Sequence, residues 1–339
     1  MIDPMKRRAM LKLPGLALGA SVFPVGGHTM AVGAAAQSFE LPWQHRGESL
    51  TLALYRQPAG GEVVLYVHGA TFPSALAVGW KMHGVSWMDD LQQSGFDAWA
   101  LDFAGYGDAQ RPAVFAKDAN AGPPFGRCDD AAEQIVAALQ HIRTVRPGAP
   151  IHLIAHSWGT LPAQRAVIQH PEIVSRLVLF GPLVPRHGRQ VSGPTDAWAL
   201  MDEAAQRPRQ RTGMPESLPT PVTDMELDRW CAAYLASDET ASQRTPPSVR
   251  IPNGPSADVA ASWGGQSLVD SAAIQIPVLI VRGEWDHVTT DDDARHLFDT
   301  LRNCRDKRDV KISGGNHWLH LQPRRVALWA EVRSFLSER

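Results

Sequence analysis

Ser157 is the residue with the clearest chemical potential. It ends the apolar run Ile151-His152-Leu153-Ile154-Ala155-His156, and beyond Trp158 and Gly159 the stretch Thr160 to Gln169 reads as a helix. A strand that turns sharply into a helix lifts the turn residue's side chain to the top of a sheet, open to attack. Two backbones approach closely at such a turn, so small residues must flank it. Gly159 follows the serine by two positions and Ala155 precedes it by two. A serine hydroxyl is a weak nucleophile until a base takes its proton, so this reading demands a histidine elsewhere. The competing role for the same residue is a plain helix N-cap.

The elements that must position such a serine are legible as short apolar runs alternating with helical patterns. The runs are Leu50–Tyr55, Val63–Val67, Ala98–Phe103, Ile151–Ala155, Leu177–Phe180, Val278–Val281 and Val310–Ile312. They predict strands buried on both faces of a mainly parallel sheet, with helices covering both sides, an α/β fold. Cys128–Val145 predicts an amphipathic helix, with Asp129 and Asp130 complementing its dipole. Val326–Leu336 predicts a closing helix, and Asp291, Asp292 and Asp293 an N-cap and first turn for Ala294–Leu301.

Residues 184–273 break the alternation. They offer no convincing strand, but helical patterns near Asp196–Gln206 and Met225–Ala236 between Pro-rich loops. Trp198, Trp230, Tyr234 and Trp263 argue for packed structure there, since disordered segments lack large aromatics. The expected organisation is a first core part at 37–183, a helical cap at 184–273 inserted between core strands, and a second core part at 274–339.

From about residue 48 to 338 the chain resembles the α/β-hydrolase fold serine hydrolases of the esterase and lipase type. The elbow at Ser157 carries the resemblance, together with the strand Val63-Val64-Leu65-Tyr66-Val67 running into His68-Gly69-Ala70. The resemblance implies an oxyanion hole made by the backbone amides of Ala70 and Trp158. It implies the order serine, acid, histidine. The histidine is then His317, at the end of Ser313-Gly314-Gly315-Asn316, with His320 as the rival that the Gly-x-His spacing disfavours. The acid is Asp286, in the Gly-x-x-Asp turn after Val278–Arg282; Glu284 and Asp291 to Asp293 are off register, and Phe180-Gly181-Pro182-Leu183 holds no carboxylate. By the same resemblance His68 ties a loop and Asp102 shapes one, neither moving protons.

The implied activity is hydrolysis of a carboxylic ester through an acyl-enzyme on Ser157, with no cofactor and no metal. An acyltransferase, a lactonase or a C–C bond hydrolase would use the same triad, and a non-catalytic binding protein could keep the scaffold. The expected partner is a small-molecule or lipid-like ester. Aromatic residues near the site or in the cap, namely Phe72, Trp158, Trp198, Trp230, Trp263 and Trp318, are candidates for the substrate pocket.

Residues 1–36 read as an address. Lys6-Arg7-Arg8-Ala9-Met10-Leu11-Lys12 resembles the twin-arginine export motif, a Gly- and Ala-rich apolar stretch follows, and Ala34-Ala35-Ala36 offers a cleavage site. The expected location is periplasmic or secreted, in a bacterium. A net charge of −2 gives no electrostatic footprint for nucleic acid or an anionic membrane surface, and no apolar run beyond the leader is long enough to insert stably in a bilayer. Nothing in the sequence bears on oligomeric state. Cys128, Cys231 and Cys304 show no metal-ligand spacing; they read as small buried residues, with one disulfide as the alternative.

Overall fold

The computed structural model describes residues 36–186 and 191–338. The expected leader lies, but for Ala36, outside the described residues. Ten strands and eight α-helices are described: β1 (Gln37–His45), β2 (Glu48–Gln57), β3 (Val63–Val67), α1 (Trp87–Gln93), β4 (Asp97–Asp102), α2 (Cys128–Val145), β5 (Ile151–His156), α3 (Thr160–Gln169), β6 (Arg176–Phe180), β7 (Trp198–Asp202), α4 (Glu203–Gln206), α5 (Asp224–Ala236), β8 (Ser248–Pro252), α6 (Gly254–Trp263), β9 (Val278–Trp285), α7 (Asp291–Thr300), β10 (Lys307–Asn316) and α8 (Arg325–Leu336).

Eight strands form one sheet in the order β1-β2-β4-β3-β5-β6-β9-β10. Pairing is antiparallel for β1 with β2 and β2 with β4, and parallel across the rest. The central strands are buried and largely apolar because helices cover them: α2 packs with α3, and α1 with α8. Every residue of β3 and of β5 is buried. The parallel strands all end on one side, and the turns leaving β3, β5, β6, β9 and β10 meet there. Such a carboxyl edge is where open α/β sheets place their ligands.

The segment between β6 and β9 departs from an all-helical cap. It contains α4, α5 and α6, but β7 and β8 pair antiparallel as a small separate sheet, Trp198 opposite Pro252 and Asp202 opposite Ser248. Trp198–Asp202 is therefore a strand where a helix was expected, and only Glu203–Gln206 is helical. Trp-Ala-Leu-Met is half-exposed and suits either state; the pairing with β8, fifty residues away, decides it. Strand β1 escaped the apolar-run reading because it is an edge strand, largely exposed, with polar residues alternating along it. At α7 the N-cap is Thr290 rather than an aspartate: its hydroxyl accepts from the Asp293 N–H, and the Asp293 carboxylate accepts from the Thr290 N–H at 2.9 Å. The three cysteine thiols are free. Among the described residues, no helix is long and apolar enough to cross a membrane, and no group of three or more His, Cys, Asp or Glu is placed to hold a metal.

Candidate active site

Ser157 sits at the tip of β5 with φ +56°, a left-handed conformation that a non-glycine residue adopts only under constraint. The constraint is visible on both sides. A Cβ at Gly159 would overlap the carbonyl of His68, and one at Gly69 would come within 3.0 Å of the Ser157 Cβ. The Thr160 hydroxyl donates to the Ser157 carbonyl at 2.6 Å and accepts from the Leu183 N–H at 3.2 Å, tying the turn to the chain leaving β6.

The structure brings Ser157, His317 and Asp286 together from three strand ends. The Ser157 Oγ lies 2.8 Å from His317 Nε2. The other ring nitrogen, Nδ1, lies 3.0 and 2.9 Å from the two carboxylate oxygens of Asp286. Asp286 Oδ1 also accepts from the N–H groups of Val288 and Thr289, each at 2.9 Å. Burial alone would raise the Asp286 pKa; the imidazole and the two amides outweigh it and hold the carboxyl below its usual range. Gly181, at the end of β6, makes room for this arrangement: its φ is +56°, and a Cβ there would stand 2.9 Å from the His317 ring and 3.0 Å from Asp286. Sequence reasoning noted that this turn lacked a carboxylate and missed why it needs a glycine.

The rival His320 is turned away. It is fully enclosed, neither ring nitrogen has a partner, and burial pushes its pKa down to about 3. It packs on His156 and Phe180, with ring centroids 4.5 and 5.4 Å away. His156 in turn donates from Nε2 to the His317 carbonyl at 3.1 Å, fixing the loop that carries the base. His68 is a tether as well: Nδ1 donates to the Gly69 carbonyl at 2.7 Å, and Nε2 accepts from the Phe103 N–H at 3.3 Å. Asp102 accepts from the Ser74 N–H at 2.7 Å and the Tyr55 hydroxyl at 3.0 Å, joining the turn at Ser74 to β2, and it does not line the cavity over Ser157.

Ala70 and Trp158, the expected oxyanion donors, flank the serine. The Tyr106 hydroxyl donates to the Ala70 carbonyl and so fixes that loop. The Trp158 indole Nε1 donates to the buried carboxylate of Asp258 on α6, at 3.0 Å.

A cavity of about 410 Å³ opens over Ser157 and His317, within the range typical of small-molecule sites. Trp263 and Trp318 line it, with Ala70, Met201 and Val259. Phe72, Trp198 and Trp230 do not. Phe72 packs edge-on against Trp230 and Trp318 with centroids 5.2 Å apart, and Trp230 donates its Nε1 to the Leu76 carbonyl at 3.0 Å. Their rings are consumed in joining cap to core. Trp198 lies under the Arg250 guanidinium, 4.2 Å from its ring centroid. The Trp158 side chain is likewise buried beside Phe103 rather than in the cavity. Sequence reasoning missed the polar lining altogether: Thr71, Arg209, Thr212, Ser256 and His287.

Residues 62–323 match the family model described as alpha/beta hydrolase fold. The chain belongs to the α/β-hydrolase fold family. It is 27% identical over 186 residues to the lipase LipV of Mycobacterium tuberculosis, a match covering 52% of this chain and 60% of that protein. The chain thus spans about three-fifths of the length of this curated relative. Among solved structures it is similar to the 2-hydroxy-6-oxo-6-phenylhexa-2,4-dienoate hydrolase of a Rhodococcus species, at TM-score 0.59 and 14% identity over 90% of this chain and 100% of that one. It is also similar to a bromoperoxidase from Bacillus anthracis, at TM-score 0.60 and 12% identity over 89% and 100% of the two chains. At these identities the structural likeness speaks for the fold alone.

Proposed function

We propose that this protein is a serine hydrolase that cleaves a carboxylic ester through an acyl-enzyme on Ser157. The observation that carries the reading is the series Ser157 Oγ, His317 imidazole, Asp286 carboxylate, each within hydrogen-bond distance of the next. His317 Nε2 accepts the hydroxyl proton as Ser157 attacks the ester carbonyl, and returns it to the departing alkoxide. A water then attacks the acyl-enzyme, activated by the same imidazole. Asp286 keeps the proton on Nδ1, so that Nε2 faces the serine as an acceptor, and stabilises the imidazolium that forms. The amides of Ala70 and Trp158 receive the oxyanion; fixed backbone donors of this kind contribute roughly 2.7–4 kcal/mol each to the transition state. The lipase relative and the largely apolar cavity favour a lipid-like or bulky apolar ester.

Ser157→Ala should lower turnover of 4-nitrophenyl butyrate by at least about 10⁴-fold, in line with the loss of other catalytic serines. A fluorophosphonate probe should label wild type at Ser157. Turnover by the alanine variant within tenfold of wild type would refute the assignment.

A further inference from the structure

The cavity over Ser157 contains one permanent cation. Arg209 lines it, and no Asp or Glu is among the described lining residues. Burial lowers the pKa of His287, the remaining titratable group there besides His317, which disfavours a second positive charge in the cavity. The Arg209 guanidinium is itself half-buried, and Nη1 donates to the Thr71 hydroxyl at 3.1 Å. It has no carboxylate within 4.0 Å among the described residues, unlike Arg56 and Arg146, which pair with Asp97, Arg186 with Asp293, Arg244 with Asp238 and Arg282 with Asp309. Arg111, Arg250 and Arg325 also lack one but donate to backbone carbonyls, whereas Arg209 donates to the Thr71 hydroxyl alone among the described residues. A guanidinium withdrawn from water costs free energy unless something compensates it, and one hydroxyl does so poorly. Burial correspondingly lowers the Arg209 pKa.

Arg209 is also held in place. Asn316, the residue before His317, donates from Nδ2 to the Arg209 carbonyl at 2.9 Å and to the Thr212 carbonyl at 3.0 Å. Its Oδ1 accepts from the Trp318 N–H at 2.9 Å and from Gln322 at 2.8 Å. The segment carrying the cation is thereby fixed to the loop carrying the base. Thr71, which receives the guanidinium, follows the oxyanion residue Ala70. A planar fork of N–H donors fixed in this way matches a carboxylate.

We infer that Arg209 is a specificity-determining residue that binds a carboxylate on the substrate, so that the preferred ester carries an anionic group beside an apolar body. The apolar part faces Met201, Val259 and Trp263. This deepens the hydrolase reading and rests on it.

Two matched pairs of esters test it. Mono-4-nitrophenyl adipate against 4-nitrophenyl hexanoate places the carboxylate on the acyl side; 4-carboxyphenyl against 4-carbamoylphenyl hexanoate places it on the alcohol side. The readout is the anionic-to-neutral ratio of kcat/KM in wild type, Arg209→Leu and Arg209→Lys, with folding checked by thermal melting. In at least one pair, Arg209→Leu should lower the ratio at least fivefold, mainly through KM, and Arg209→Lys should keep it above the leucine variant's. A smaller fall in both pairs, or equal falls in the lysine and leucine variants, overturns the inference. A purely structural role, or one in oxyanion stabilisation, would depress both members of a pair alike and leave the ratio unmoved. Ser157→Ala separates the two failures: if it hydrolyses these esters as wild type does, the hydrolase reading falls, and if it is inactive while the ratios stay fixed, the carboxylate inference alone falls.

Discussion

Removal of Asp258, a cap residue, should be felt both in stability and in turnover. It is 1% exposed, on α6. Its carboxylate accepts from the Trp158 indole at 3.0 Å and from the Cys128 backbone N–H at 2.7 Å, and pairs with Arg127. The Cys128 contact matters because α2 has no side-chain cap of its own: its N-cap position is Arg127, which makes no capping bond. A carboxylate from another part of the chain fills that role and also complements the helix dipole. Asp258→Ala strips two buried donors of a charged acceptor, at about 1.5–3 kcal/mol each. The Arg127 pair adds little, since that side chain is 40% exposed and solvent screens it. Burial raises the Asp258 pKa, so releasing the buried charge offsets part of the loss. The expected net is about 3 kcal/mol, or a fall in Tm of roughly 4–5 °C for a chain of this size. Because Trp158 is also the proposed donor of an oxyanion amide, kcat/KM for 4-nitrophenyl butyrate should fall about tenfold at a temperature where the variant is fully folded, a fraction of what losing the donor outright would cost. Asp258→Asn keeps an acceptor and should recover part of both losses. An alanine variant with Tm within 2 °C and kcat/KM within twofold of wild type would refute this account of how the cap supports the site.

Two further outcomes follow from the same geometry. Asp286→Asn should leave the fold intact and cut kcat by about 10⁴-fold, because an amide at that position no longer fixes the proton on Nδ1; steady-state kinetics with a melting control would check this. Acid should destabilise the protein well before the carboxylates of the unfolded chain titrate. His68, His156 and His320 are buried and neutral, with pKa values depressed by burial, to about 4 for His68 and about 3 for His320. Below pH ~6.5 the unfolded chain takes up protons that the folded state refuses, so stability falls as pH falls, by up to about 1.4 kcal/mol per pH unit for each histidine. Asp102 opposes this over part of the range, since burial raises its pKa to about 6 and the folded state binds that proton first. Urea unfolding at pH 7.0, 6.0 and 5.0 should therefore show stability dropping at each step; constant stability would contradict the placement of these rings.

The strands leading to the serine and the acid were readable because β5 and most of β9 are buried and largely apolar: β5 into Ser157 and β9 towards Asp286 need no long-range information. The base was harder. His317 and His320 are both buried, and the spacing to Gly315 favoured the first; what separates them in space is that Asp286 and Ser157 reach only the first ring. The cap was poorly legible because its structure depends on distant pairing. β7 exists through β8, and Asp258 caps a helix that begins 130 positions earlier. Arg209 was invisible for a related reason. An arginine in a polar, Pro-rich stretch looks like surface, and what singles it out in three dimensions is that it meets neither a carboxylate nor a backbone carbonyl among the described residues, only the Thr71 hydroxyl. Phe72, Trp158, Trp198 and Trp230 misled in the opposite direction, packed away from the cavity that Trp263 and Trp318 line.

The central claim is a covalent bond to the Ser157 oxygen during turnover. Acid-quenching the wild-type protein during turnover of 4-nitrophenyl butyrate, followed by peptide mass spectrometry, measures that bond directly. The account predicts a butyryl increment on the peptide containing Ser157, accumulating further in a His317→Ala variant if acylation by this activated ester outpaces deacylation, and absent in Ser157→Ala. A butyryl group on another residue as the turnover intermediate, with Ser157 unmodified in both proteins, would contradict it.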